Sequence, residues 1–478
     1  HKLSVTILAQ AQGSRFGSSC LDLIQNSSQL SFIMFRLLLS SLSWWAALAY
    51  PVSYTNCAVS HILQKQPQRI IAMNQGVLEF MLGLGLGDKI IGSRPLDDAI
   101  WPKYQEAYNQ IPSVYTNPVW WNYPNESTIM AEKADFIIGS WASSFRAAYT
   151  DDKGDPKGIF SAATVGPCVG ALSEQHKDAI TKNYRTCRPQ LNAAGIGTWL
   201  LSDACEDTSI RADVTKLGEE FTYEEMRRVG ALFKVDAEPL IKEMKDDFNL
   251  AKNLVFNAND GKKLTAVWVD CVWDCGEKNE IYVGAGSGTP NMLMEEAGLT
   301  NAFKDKEGLW VYVNESDIVD ANPDVLILVD WKRDPALETK ITWLHSDKRF
   351  CEMDALKAAR YITVPFSASG AGPRNGAAAL DLATAALHVK RGLRISNKKS
   401  GISSFTPEVL EKHTKGMVCA MNKDEVVYEN DAGSIQCEEA QSACLPPAVQ
   451  LQELQLTDAA HGYSSIILFA VIVACLVQ

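Results

Sequence analysis

The pattern W-x-Y-x-N-E-S is written twice in this chain. It stands as Trp121-Asn-Tyr123-Pro-Asn125-Glu126-Ser127 and as Trp310-Val-Tyr312-Val-Asn314-Glu315-Ser316, 189 residues apart (310 − 121) in 478. The residues after each copy also repeat. From Glu126 to Asp135 is nine residues, and from Glu315 to Asp324 is nine; each Asp opens an apolar run that ends near a Trp, Trp141 or Trp331. This is a strong constraint: each half of the chain builds the same kind of unit.

That unit is α/β. Arg69–Met73 reads as a short buried strand, Val77–Leu84 as a helix ended by glycines, and Lys89–Gly92 as a second strand. A β-α-β order implies a parallel sheet. The glycines come after the helix, which rules out the dinucleotide fingerprint, where they precede it. Phe136–Ile138 and Thr198–Leu201 add strands, and residues 146–195 are too long for a plain connection. They read as an insertion tied by Cys168 and Cys187. Tyr223–Phe233 and Ala237–Phe256 carry apolar residues at helical spacing, the second as a rigid connector over 236–257. The order then recurs: strand Leu264–Val269, a turn at Gly286–Gly288, helix Asn291–Ala297, strand Val325–Val329, strand Lys357–Val364 and a closing Ala-rich helix Asn375–Lys390. The expected fold is two Rossmann-like lobes, residues 60–235 and 258–395, with mainly parallel sheets, joined by the connecting helix.

In open α/β sheets, ligands sit outside the carboxyl ends of the strands. Two such lobes can face one cleft. Trp120, Trp121, Tyr123 and Trp141 would then come from one side, and Trp310, Tyr312 and Trp331 from the other. Aromatic walls give stiff, flat contact area suited to a bulky ligand. Packing within each lobe is the competing role for any one of them.

The ends and the cysteines suggest a route. From Met34 the chain reads one Arg, an apolar run and Ala47-Leu48-Ala49, a signal-peptide pattern over 34–49 with Tyr50 as the mature start. Residues 1–33 are set outside the fold. The apolar run Ile466–Val477 has 12 residues, short of the ~20 that span a bilayer. Residues 461–478 are expected to be an anchor signal of the lipid-linked type, or a short stub, after a Cys-containing stalk or cap over 396–460. Ten of the 12 Cys lie between these ends, an even number that fits disulfides. Cys271-x3-Cys275 has no matching metal half-site, so no metal site of the protein's own is expected. Net charge is −12, which argues against nucleic acid as a partner. No G-x-S-x-G or H-E-x-x-H is present and the His are scattered, so no enzyme is expected. An adhesive surface protein would not need matched aromatic loops.

The order R-I-I-A-x-N-x-G-x-x-E, then N-E-S-x-I-x-x-x-x-A-D-F-I-I, a spanning helix, then P-D-V-L-I-L and A-L-K-A-A-R-Y-I-T-V resembles the helix-hinged substrate-binding proteins of vitamin B12, ferric siderophore and haem importers. Over residues 65–395 it is most similar to the cobalamin-acquisition proteins of algae. The resemblance implies a monomeric surface receptor for a metal chelate, cobalamin first and a ferric hydroxamate or haem second. The metal would arrive within the ligand, with no intrinsic cofactor. It implies Trp121 and Trp310 as ligand contacts, and Glu126 and Glu315 as docking residues for a membrane transporter, unless an endocytic receptor does that work; a carboxylate favoured by the dipole at a helix N-terminus is the competing role for both. It also implies a late ligand loop, here Phe366 to Arg374, of which the Pro-Arg matches. Arg94, Arg146, Arg374 and Tyr123 would serve a hydroxamate. Asn125 and Asn314 are glycosylation sequons, and at least one is expected to stay unmodified because glycans would crowd the cleft rim.

Overall fold

The computed structural model describes residues 50–390 except 116–122, 151–153, 155, 162–167, 169–185, 206, 208, 258–262, 273–278, 332–335 and 359. The expected leader, signal peptide, stalk and anchor lie outside them. By compactness the chain divides into residues 1–53 with 62–66, and residues 54–61 with 67–478. Both lobes lie in the second unit. Among the described residues no helix is long and apolar enough to cross a membrane.

A hairpin of β1 (Val52–Asn56) and β2 (Val59–Leu63) precedes the first lobe. Its turn, within the second unit, is fixed to the strand β8 (Gly197–Leu200): Asn56 exchanges hydrogen bonds with the Leu200 backbone at 2.9 and 2.8 Å, and Cys57 is disulfide-bonded to Cys205. Strands β3 (Ile70–Ala72), β4 (Ile90–Ser93) and β5 (Phe136–Gly139) complete an all-parallel sheet in the order β4-β3-β5-β8. Their side chains are almost all buried, as a sheet covered on both faces requires. Helix Gln75–Gly83 connects β3 to β4 as expected, and Gly85 at φ +73° turns the chain after it. Two further short strands, β6 (Tyr149–Thr150) and β7 (Pro156–Lys157), pair within the insertion. The expected Cys168–Cys187 disulfide is formed.

The connecting helix runs Glu238–Asn257. Its buried residues Ile241, Met244, Phe248 and Ala251 fall at spacings of three and four, one apolar stripe. The final helix Asn375–Lys390 packs along it. The approach is close: a Cβ on Gly376 would stand 2.6 Å from the Met244 carbonyl oxygen, so only glycine fits there.

In the second lobe, β9 (Leu264–Cys271), β13 (Val325–Asp330) and β14 (Tyr361–Pro365) are parallel, and β11 (Leu299–Asn301) joins β9 in parallel. Two antiparallel strands, β10 (Glu280–Gly284) and β12 (Trp310–Asn314), extend the edge, giving β12-β10-β9-β13-β14. Sequence reasoning does not assign β10 and β12 as strands. Their inner residues Ile281, Val283 and Val313 are buried while Tyr282, Trp310 and Tyr312 alternate with them on the other face. In the sequence, aromatic residues at every second position read as loop walls. The last strand also starts later than expected, because Asp354–Lys357 closes a helical turn first.

Beyond β8, Asp203 is buried beside Glu225 of the helix Glu220–Phe233. Burial, and then the Glu225 charge, push the Asp203 carboxyl up to about 7. In the unfolded chain it titrates near 3.9. The native carboxyl therefore holds its proton more tightly, and its contribution to stability is lost as pH rises from about 4 through about 7. Asp203→Asn is expected to raise the melting temperature at pH 8 and to give no such gain at pH 4. Equal gains at both pH values would contradict this.

Candidate ligand cleft

The carboxyl ends of the strands from both lobes converge, and their polar side chains lock together first. Helix Gln75–Gly83 comes after β3 and is otherwise apolar, V-L-E-F-M-L, so a carboxylate inside it needs a partner. Glu79 finds it in Arg374 of the other lobe. The guanidinium Nε bonds Glu79 Oε2 at 2.5 Å, its Nη2 bonds Oε1, and both side chains are at most 3% exposed. Arg374 also donates to the Ala99 carbonyl at 2.7 Å. Asp98, beyond β4, accepts from Ser367 N and Oγ at 2.7 and 2.9 Å and from Gln75 Nε2 at 2.7 Å. Gln75 Oε1 in turn accepts from the Asp97 and Asp98 backbones. Burial, opposed by Arg374, pushes the Asp98 carboxyl up to about 6.

Ser367 is preceded by Phe366, so the lock also fixes that ring. Phe366 lies between an aromatic from each lobe: Trp331, just past β13, at 4.2 Å between centroids, and Trp141, just past β5, at 6.5 Å. All three are partly exposed. Trp331 Nε1 donates to Asp270 of β9 at 3.1 Å. Burial raises the Asp270 carboxyl to about 6 against the opposing charge of Lys340, with Asp97 across the cleft adding to the rise. Arg94 is paired with Asp97 at 3.0 Å and lies over the Tyr123 ring. On β10 and β12 a separate aromatic row forms: Tyr282 stacks on Trp310 at 5.6 Å and lies against Tyr312 at 4.7 Å.

The structure thus brings together Trp141, Trp331 and Phe366, and separately Trp310 and Tyr312. Trp120 and Trp121 lie outside the described residues. Tyr123 is 2% exposed and its hydroxyl meets Asn74 at 3.2 Å and Ser143 at 2.9 Å, which makes it part of the first lobe's core. Arg374, expected as a ligand contact, is consumed by the lock between lobes.

The two helix-start glutamates occupy the helix N-terminal place that is the competing role to docking. Glu126 opens the helix Glu126–Ala131 after the cap Asn125, and Glu315 opens Glu315–Ala321 after the cap Asn314. Each is only 8% exposed. Glu126 Oε2 accepts from Ser161 N and Oγ at 3.0 and 2.7 Å, while Glu315 accepts from Trp343 Nε1 at 3.1 Å and Arg349 Nη2 at 2.5 Å. A carboxylate at a helix N-terminus is favoured by the dipole, and here each one also anchors a distant segment. The repeated N-E-S is a helix-starting device used once per lobe. Sequence reasoning does not single out Gln75, Glu79, Asp98 and Asp270; the available signal for Glu79 is a lone acid within an apolar helix.

No protein family profile matches the chain, and no curated protein matches it. Solved structures do. A periplasmic binding protein from Veillonella parvula is similar with a TM-score of 0.51 at 20% identity, over 70% of this chain and 96% of that one. The ABC-type Fe3+-hydroxamate transport system protein from Saccharomonospora viridis gives 0.51 at 19%, over 70% of this chain and 99% of that one. The described residues therefore have the two-lobed α/β fold of periplasmic binding proteins.

Proposed function

We propose that the protein is an extracytoplasmic solute-binding receptor that holds a bulky metal chelate between its lobes, with a ferric hydroxamate placed first. The observation that carries this reading is the Trp141–Phe366–Trp331 cluster, which takes one aromatic from the first lobe and two from the second. Such rings offer flat apolar area at low entropic cost. Asp270 beside Trp331 supplies an acceptor that would orient the ligand. The likeness to the Saccharomonospora protein supports hydroxamate. Cobalamin is the second reading, supported by Trp310 at the position where the repeat would pair it with Trp121. In this reading the protein performs no chemistry and hands the ligand to a membrane transporter or an endocytic receptor.

The test is a titration of the purified described region, residues 50–390, with a linear ferric trihydroxamate, cobalamin and haem, monitored by quenching of Trp fluorescence. A saturable response to the trihydroxamate at micromolar or lower concentration is expected, weaker for the other two. Saturation by cobalamin alone would shift the assignment to the second reading, and no response to any of the three would sink both.

A further inference from the structure

We propose that Asn314 is an N-glycosylation site and that the first sugars of its glycan lie over Tyr312. Successive side chains of a strand alternate, so Trp310, Tyr312 and Asn314 of β12 share one face. β12 is the edge strand of its sheet, and Tyr312 is 38% exposed, one of the few large apolar side chains so open to solvent. Tyr282 backs it at 4.7 Å, so the ring is held as a stiff platform two residues before the sequon asparagine. Asn314 is itself exposed and stands at the N-cap of the helix Glu315–Ala321, where its backbone N–H donates to Asp317 Oδ2 at 3.0 Å. The exposed side chain presents its amide to solvent. Substitution at Nδ2 leaves the backbone bond from Asn314 N to Asp317 intact. The disulfides Cys57–Cys205 and Cys168–Cys187 fit an oxidising secretory compartment, where the modification takes place.

Asn125 has the same sequon in a different setting. Its aromatic neighbour Tyr123 is buried, and its own Ser127 hydroxyl is bonded to its Oδ1 at 2.7 Å. The transfer joins Asn314 Nδ2 to C1 of an oligosaccharide supplied by a lipid-linked diphosphate donor. The C1–O bond to the diphosphate breaks, Nδ2 gives up one proton, and the lipid diphosphate leaves.

The experiment uses the full chain from its own source, treated with peptide N-glycosidase in 18O-water. Residue 314 is expected to be recovered as labelled Asp; an unmodified Asn314 peptide overturns the proposal. The second arm compares melting temperature before and after deglycosylation. The parent and Tyr312→Phe are expected to lose about 2 °C or more, and Tyr312→Ala to lose nothing further. If Tyr312→Ala lowers the melting temperature equally in both forms, the ring is merely structural and the stacking is refuted. Neither arm depends on which ligand the cleft takes.

Discussion

Arg374→Ala is expected to lower the stability of the protein by about 3–5 kcal/mol, the range found when one partner of a buried ion pair is removed. The reason is what remains. Glu79 is 1% exposed at its side chain, and without the guanidinium it keeps only Gln75 Nε2 at 3.1 Å and Trp101 N at 3.0 Å. A buried carboxylate with neutral partners alone is poorly solvated, and it will take up a proton or draw in water. Glu79→Gln combined with Arg374→Met removes both charges and should recover much of the loss, because a buried pair and an apolar pair of similar volume are often near parity. Urea unfolding of the two single variants and the double variant checks this. A double variant as unstable as the sum of the singles would mean that shape, and not charge, is what the pair supplies.

The second large effect concerns the ligand. Removing Trp331 takes away an aromatic side chain of about 150–250 Å² and leaves Phe366 with Trp141 alone in the cluster. Only part of that area meets the ligand, so the expected loss is about 2–4 kcal/mol, in the range of an interface hot spot. At about 1.4 kcal/mol per tenfold, affinity falls roughly 30- to 1,000-fold. Trp141→Ala and Phe366→Ala are expected to act in the same direction, and Trp310→Ala less, since it stacks on Tyr282 one strand farther from Asp270. Isothermal titration with a ferric trihydroxamate checks the loss, and thermal melting shows whether each variant stays folded. Full affinity in a folded Trp331→Ala protein would remove the cluster from the site.

Much of the architecture is legible in the sequence because buried parallel strands announce themselves. Phe136–Gly139 and Val325–Asp330 are short apolar runs behind an acid, and the spanning helix shows its stripe at Ile241, Met244, Phe248 and Ala251. Strands β10 and β12 are not legible, because their outer residues are aromatic and the alternation is brief. The site is harder. Trp141, Trp331 and Phe366 stand out in the sequence, but Glu79, Asp98 and Asp270 matter through partners far along the chain, and spacing in sequence says nothing about such pairings. Glu126 and Glu315 illustrate the converse. Their position at two helix starts is readable, but their burial depends on Ser161 in the insertion and on Trp343 and Arg349 beyond β13.

The lock between lobes also orders the birth of the molecule. Its partners are separated by 295 residues for Glu79 and Arg374 and by 269 for Asp98 and Ser367. During synthesis the first lobe emerges whole, with its sheet and helices complete, while the cation that neutralises its buried acid has yet to be translated. Until residue 374 leaves the ribosome, that lobe carries a charged, half-built face that water must fill. A chain cut short before residue 374 therefore leaves a buried acid without its cation, and the first lobe made alone is expected to unfold more readily than the same lobe in the whole chain.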